Sequence, residues 1–202
     1  MITEDNTLRS VKLRLDGLSP LLQHSARLAD PLDPIAKDIK EISSKRKKTD
    51  ADHMQMAKLE WKGSLYINDD QKVVLPAESI KAALIGGAKK ERNGPQARGG
   101  TFIFETPVLQ HDESQKDIDG LWGKGESRNV HRASVKVTTS RITRTRPQFH
   151  NWSADVLIHY DTTQAHESDV VRWLETAGRI IGIGDWRPEK SGVYGRFTVK
   201  VI

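Results

Sequence analysis

The chain has 202 residues, 36% hydrophobic and 29% charged, with 32 Lys and Arg against 27 Asp and Glu for a net charge of +5. It has no Cys, which excludes a disulfide scaffold, a thiol nucleophile, an iron–sulfur cluster and a thiolate zinc site, and fits a reducing, cytoplasmic setting. No apolar run approaches the roughly 20 residues of a membrane span, and MITEDNTLRS lacks the basic-then-apolar pattern of a secretory signal.

Residues 7–15 alternate, Val11, Leu13 and Leu15 against Lys12 and Arg14, as a half-buried strand does. Asp16-Gly17 and Ser19-Pro20 end it. Asp33 before Pro34 is an N-cap followed by Pro at N1, and Ile35, Ile39 and Ile42 give that helix one apolar stripe. Residues 43–50 form a polar break, from which Thr49 caps a second helix to about residue 59. A strand is expected over residues 59–67, closed by Asn68-Asp69-Asp70, then a short extended piece over 73–75. Pro76 opens a helix to about Lys90, with Ile80, Ala83, Leu84 and Ala88 inward. Gly86-Gly87 inside it costs about 1 kcal/mol per Gly relative to Ala, which a close packing contact would justify. Asn93-Gly94-Pro95 terminates the helix.

Residues 102–109 read as a strand and 110–129 as a long acidic surface loop. Residues 133–146 read as one long strand, with Val135, Val137 and Thr139 alternating with Lys136, Thr138 and Ser140. Residues 147–151 turn the chain, and 152–160 return with Ala154, Val156, Ile158 and Tyr160 on one face. Ser168 caps a helix that carries Val170, Leu174, Ala177 and Ile181. A glycine-rich loop follows, then a strand in which Phe197, Val199 and Val201 alternate with Thr198 and Lys200. There is no repeat and no linker. The expectation is one domain over residues 1–202 with insertions at about 20–60 and 110–131. Without them the order is strand, helix, strand, strand, helix, strand. That predicts an α+β, ferredoxin-like fold of the RNA-recognition type: an antiparallel sheet with helices on one face, plus a long basic hairpin.

Charge is segregated along the chain. Residues 132–146 carry five bases and no acid, and residues 37–48 carry six bases and two acids. Residues 112–126 carry five acids and two Lys. Segregated bases favour a polyanion, because each phosphate contact releases counterions. The competing reading is a solvated charged face. The candidate phosphate ligands are Lys45, Arg46, Lys47 and Lys48 in one block, and Arg132, Lys136, Arg141, Arg144 and Arg146 in the other.

The glycine-rich loop adds Gly182, Gly184, Gly192 and Gly195. These can take positive φ and let backbone N–H groups approach phosphates. Arg187 and Arg196 supply charge, and Trp186 and Tyr194 supply stacking faces. No Gly-Lys-Ser/Thr ends the loop, so it is not a P-loop. It follows a helix and precedes a strand, so it is not a dinucleotide fingerprint. An ordinary loop with Gly at its turns is the other reading, in which Asp185 simply holds a turn. Phe149 and Trp152 are read either as stacking residues or as core, and Trp61 and Trp173 as core. The seven His are scattered and show no His-x-x-x-His, so no metal site and no cofactor are expected. No Gly-x-Ser-x-Gly elbow occurs.

Two segments together carry a resemblance. Leu75-Pro76-Ala77-Glu78-Ser79-Ile80-Lys81-Ala82-Ala83-Leu84 resembles the Ile-Pro-Gly-Ser-Ser-Leu-Lys-Gly-Ala-Leu helix start of the RAMP superfamily. These are CRISPR effector proteins built on modified RNA-recognition folds. Residues 182–197, from Gly182 to Phe197, are similar to that superfamily's C-terminal glycine-rich loop and stand in the same place, between the last helix and the last strand. Ala77, Glu78 and Ala82 replace the family's Gly, Ser and Gly, and Gly192 and Gly195 stand one residue further apart than usual. Residues 21–52 also resemble uncharacterised proteins of tailed-phage and prophage genomes.

The resemblance implies a backbone subunit that polymerises along single-stranded guide RNA as a helical oligomer. Some family members cut target RNA with an Asp in the loop after the first strand. Here that loop holds Asp30 and Asp33, both before Pro, and Asp33 is also explained as a helix cap. Three function classes follow. The first is a non-catalytic single-stranded RNA- or DNA-binding protein that self-associates along the strand. The second is a metal-dependent RNA endonuclease using Asp30 or Asp33. The third is a protein–protein module, for example a phage factor that mimics an effector subunit and binds effector or phage proteins. No membrane partner is expected.

Overall fold

A computed structural model describes residues 7–137 and 140–202, without the side chains of Val137 and Ser140. The expected alternation at Thr138 and Thr139 therefore lies outside the described residues, as do residues 1–6. In chain order the elements are β1 (Leu8–Gly17), β2 (Leu21–Leu22), α1 (Pro34–Ser44), α2 (Asp50–Ser64), α3 (Ala77–Lys90), α4 (Gly94–Gly100), β3 (Thr101–Phe102) and β4 (Gln110–His111). There follow α5 (Ile118–Trp122), β5 (Val130–Val137), β6 (Ser140–Phe149), β7 (Trp152–Asp161), α6 (Glu167–Ile180) and β8 (Phe197–Val201). The fold is α+β, and the pairs β1–β7, β1–β8, β3–β7, β4–β7 and β5–β6 are antiparallel. No helix of the described residues is long and apolar enough to cross a membrane. The chain forms two compact units, residues 7–21, 74–111 and 151–202 of the described chain in one, and 22–73 and 112–150 in the other.

In the first unit the sheet runs β3-β7-β1-β8, with β4 also on β7. The period-two pattern of β1 meets that of β7: Val11 opposes Ile158, Leu13 opposes Val156 and Leu15 opposes Ala154. All six are buried. Helices α3 and α6 pack on one another, and α6 packs on β1 and β8. Ile80, Ala83, Leu84 and Ala88 are buried as the helical spacing requires, and so are Val170, Trp173, Leu174, Ala177 and Ile181. The cost of glycine in α3 has its reason in this contact. A Cβ on Gly87 would lie 2.0 Å from the Trp173 carbonyl oxygen, and one on Gly86 would lie 3.0 Å from Ile181 Cγ2. Trp152 is core, as one of its two readings had it, with its indole N–H donating to the Ser19 carbonyl at 2.8 Å.

Several boundaries differ from expectation here. The N-cap of α6 is His166, not Ser168; the His166 N–H donates to Asp169 Oδ2 at 2.9 Å and Ser168 lies in the first turn. Helix α3 ends at Lys90, just before Asn93-Gly94-Pro95 as expected, but Gly94-Pro95 also starts α4, with Pro in the first turn, where its missing N–H costs nothing. Residues 102–109 are not one strand. Only Thr101–Phe102 joins the ladder, and Val74 bridges Val108. Pro107 has no N–H to give a ladder, and its carbonyl accepts from Leu75 instead, at 3.0 Å. In β8 the alternation holds for buried Phe197 and half-buried Val199, but Val201 is exposed.

The second unit holds larger corrections. The strand expected over 59–67 is instead the last part of α2, which continues to Ser64. Ala57, Trp61 and Ser64 recur at helical spacing. Trp61 is fully buried, lies 5.5 Å from the Trp122 ring, and donates its indole N–H to the Asn129 carbonyl at 2.9 Å. Only beyond Ser64 is the chain extended, with Ile67 bridging Val73. Residues 110–129 are not simply a loop: Asp117 accepts from Gly120 N at 2.7 Å and starts α5, whose Leu121 and Trp122 are buried. The single strand read over 133–146 is two strands, β5 and β6, paired from Val130↔Pro147 to Val137↔Ser140. Pro147 lies within β6 rather than in a turn, and its carbonyl accepts from Gln23 N at 3.1 Å. Phe149 is buried and therefore core.

Candidate nucleic-acid interface

Alternation along the β5–β6 ribbon sorts its five bases onto two sides. Directly opposed residues share a side. Lys136↔Arg141, Ser134↔Thr143 and Arg132↔Thr145 fall on one, and Val135↔Ile142, Ala133↔Arg144 and His131↔Arg146 on the other. On the first side Arg132, Ser134, Lys136, Arg141 and Thr143 are all exposed. Arg132, Lys136 and Arg141 make no ion pair among the described residues. The Arg132 guanidinium rests 3.4 Å from Met54 Sδ.

On the second side the charge is already used. Glu60, from α2, lies 2.9 Å from Arg144 Nη1 and 3.7 Å from Arg146 Nη1 through one oxygen. Its other oxygen accepts from the Thr145 N–H at 2.9 Å. Arg144 and Arg146 were expected to hold phosphates, yet both are drawn to this carboxylate. The block at Lys45–Lys48 divides in the same way. Lys45 ends α1 and donates to Asp52 Oδ1 at 2.6 Å, and Lys48 Nζ donates to the Lys45 carbonyl at 3.0 Å. Arg46 and Lys47 are exposed and make no ion pair among the described residues.

The glycine-rich loop uses its glycines for its own turns. Gly182, Gly184 and Gly195 have positive φ, and a Cβ on Gly195 would lie 1.7 Å from the Ile183 carbonyl oxygen. Three of the four glycine amides expected to cradle phosphate are engaged within the protein. Gly182 donates to Ala177, Gly192 to Arg187 and Gly195 to Pro20, at 2.8–3.0 Å. Arg187 holds Glu189 at 2.7 Å and the Gly184 carbonyl at 3.2 Å. What the loop presents is Trp186, 44% exposed at φ +53°, with its ring plane 3° from that of Tyr194 and centroids 6.3 Å apart. Arg196, two residues after Tyr194, is exposed and makes no ion pair among the described residues.

Asp30 and Asp33 perform local tasks. Asp30 accepts from Leu32 N at 2.8 Å. Asp33 caps α1 through Ile35 N at 2.8 Å and holds the Arg27 guanidinium at 2.8 Å. Burial acts to raise its pKa, but the Arg27 bond and the amides of Ile35 and Ala36 outweigh that and keep the carboxyl below the usual carboxylate range. Among the described residues no group of three or more His, Asp or Glu is placed to hold a metal ion.

Two features had no part in the sequence reading. One is a cleft of about 620 Å³ in the second unit, whose lining is half apolar, with Leu28, Ile39, Met54 and Ile142, and half polar or charged, with Glu60, Arg132 and Arg144. The other is the pair of exposed rings of Phe102 and Phe104 in the first unit. The Phe-x-Phe spacing in the sequence is the signal for it, since alternate residues of an extended segment share a side. Comparison with protein-family models and with curated proteins returns no match.

Proposed function

We propose that the chain is a non-catalytic, single-stranded nucleic-acid-binding protein that self-associates along the strand. The observation that carries this reading is the exposed side of the β5–β6 ribbon. It presents Arg132, Lys136 and Arg141, with the Ser134 and Thr143 hydroxyls beside them and no acid in either strand. Such a surface holds phosphates by charge and by hydroxyl hydrogen bonds, without reading base edges. Within the first unit by itself, Trp186 and Tyr194 form two parallel rings on which bases can stack. Arg46 and Lys47 in the second unit, and Arg196 in the first, are further exposed cations of the kind phosphates attract.

Taken without β2, β4, the short helix α4 and the second unit's helices and strands, the order is β1, α3, β3, β7, α6, β8, and the sheet order is β3-β7-β1-β8. A strand–helix–strand unit interleaved with its repeat supports a ferredoxin-like, RAMP-like build. β8 is a sheet edge, where a second copy can add its own strand.

Fluorescence anisotropy tests the reading, with labelled single-stranded RNA, single-stranded DNA and duplex DNA of roughly 30 nucleotides. Tight binding to single strands that weakens steeply with salt is expected. Replacing Arg132, Lys136 and Arg141 together by Gln should lower the salt slope by about 2, from about 0.7 per lost phosphate contact. Self-association is read from sedimentation of the complex as strand length grows.

A second reading, a protein–protein module, is favoured by the cleft in which Leu28, Ile39, Met54 and Ile142 stand among charged residues. Absence of binding to every strand at low salt would select it.

A further inference from the structure

The open side of the first unit's sheet carries an aromatic group that the fold does not use. In the β3–β7 ladder Thr101 opposes Tyr160 and Phe102 opposes His159. Thr101 and Tyr160 are buried with the core residues of β7, so Phe102 and His159 project to the open side. Phe104 brings a second phenyl ring to the same place. The two phenyl rings are 6.1 Å apart with planes 7° from parallel, and the Phe104 ring is 4.8 Å from that of His159.

Phe104 is 69% exposed and Phe102 38%. Phe102 is anchored: Lys81 Nζ lies 5.7 Å from its centroid while donating to the Ala97 carbonyl, the Thr101 carbonyl and the Thr101 hydroxyl. Phe104 is the outer ring and buries little, so it contributes little to stability.

The surroundings select a small ligand. On the same side Ser10 opposes His159 and Lys12 opposes Leu157. Lys12 is exposed and makes no ion pair among the described residues. Farther along the sheet Arg14, Asp16, Asp155 and Lys200 neutralise one another at 2.8–3.6 Å. Asp161, at the strand's end, accepts from Thr163. A protein interface covers roughly 800 Å² per partner with a charge-depleted centre. This patch is a few rings bounded by ion pairs. A nucleobase needs only one ring face and a nearby cation for its phosphate.

We propose that Phe104, backed by Phe102 and His159, is a stacking platform for an unpaired nucleobase, with Lys12 meeting the adjoining phosphate. It rests on the single-strand reading above and adds base recognition to backbone recognition. Stacking on a ring face tolerates any base, so the platform is sequence-independent.

The test compares wild type, Phe104→Ala, Phe104→Leu and Phe104→Trp on a single-stranded DNA of roughly 12 nucleotides and on an abasic strand of the same length. Because the ring is exposed, thermal melting should be the same for all four. Alanine and leucine should each weaken binding to the base-bearing strand about 5-fold or more, tryptophan should not, and none should change binding to the abasic strand. Equal binding of wild type to the two strands overturns the platform, and so does an alanine variant that binds both as wild type does or loses both equally. Wild type that binds neither strand overturns the single-strand reading itself, and the platform with it.

Discussion

Lys136 and Arg141 stand directly opposite one another across the β5–β6 ladder, both cationic and both exposed. Like charges at directly opposed positions destabilise a ribbon by a few tenths to about 1 kcal/mol. A bound phosphate would turn that repulsion into shared attraction.

Lys136→Gln should therefore act with opposite signs on two observables. The melting temperature should rise, by up to about 3 °C for a chain of this size, and the gain should shrink as NaCl screens the pair. Affinity for a single strand should fall, with the salt slope lower by about 0.7. Thermal melting across a salt series, set beside anisotropy titrations, reads both. A variant that melts lower, or that binds as tightly as wild type, would sink the assignment of this pair to phosphate.

Glu60 should matter more to stability than either arginine it holds. Its carboxylate is largely buried and receives Arg144, Arg146 and the Thr145 N–H. Glu60→Ala would leave the Thr145 amide without its acceptor and remove the carboxylate that faces Arg144 and Arg146, a loss of about 1–3 kcal/mol. Arg144 is 44% exposed, and Arg144→Ala should cost under about 1 kcal/mol. Urea unfolding of the two variants gives the order. Equal losses would show that Glu60 is not the hub.

Two glycines of neighbouring helices should respond oppositely to the same substitution. At Gly87 a Cβ would meet the Trp173 carbonyl at 2.0 Å, so Gly87→Ala must part α3 from α6 and should cost about 2 kcal/mol or more. Gly99 in α4 has nothing within 4 Å of such a Cβ. There alanine reduces the freedom of the unfolded chain and should stabilise by up to about 1 kcal/mol. Denaturation midpoints of the two variants, at unchanged slope, decide it.

The elements legible in the sequence are those whose apolar period is long and one-sided. Val11, Leu13 and Leu15 in β1, Ala154 to Tyr160 in β7, and the stripes of α3 and α6 are of this kind. Even the tight contact at Gly87 was implied, because glycine inside a helix needs a reason. The end of α2 was not legible. Leu59-Glu60-Trp61-Lys62 fits both a period of two and a period of 3.6 over so short a span. What decides is Trp122, which lies in the acidic segment and packs on Trp61. For β5 and β6, no Gly, Pro, Asn or Asp between residues 137 and 140 marks the division into two strands. The site was legible as charge but not as pairing. Glu60 lies 84 residues from Arg144, and no local pattern connects them. Glycine spacing likewise signals freedom of φ, not whether the amides already have acceptors.

The start of α2 should be the acid-sensitive point of the second unit. Asp52 Oδ2 accepts from the N–H and hydroxyl of Thr49, each at 2.9 Å, and Oδ1 accepts from Lys45 Nζ at 2.6 Å. The Lys45 bond first, then the Thr49 amide and hydroxyl, hold the Asp52 carboxyl far below the usual carboxylate range, against a smaller opposing effect of burial. A carboxylate depressed on folding contributes stability that is present above the ordinary carboxylate range. That contribution is lost as pH falls toward the depressed value. Asp52→Asn keeps the shape but not the charge. Its deficit against wild type should be full at neutral pH and should narrow steadily as pH falls below about 4. Melting curves of both proteins from neutral pH to acid measure this. A deficit that stays constant over that range would mean that Asp52 serves α2 through shape and hydrogen bonding rather than through its charge.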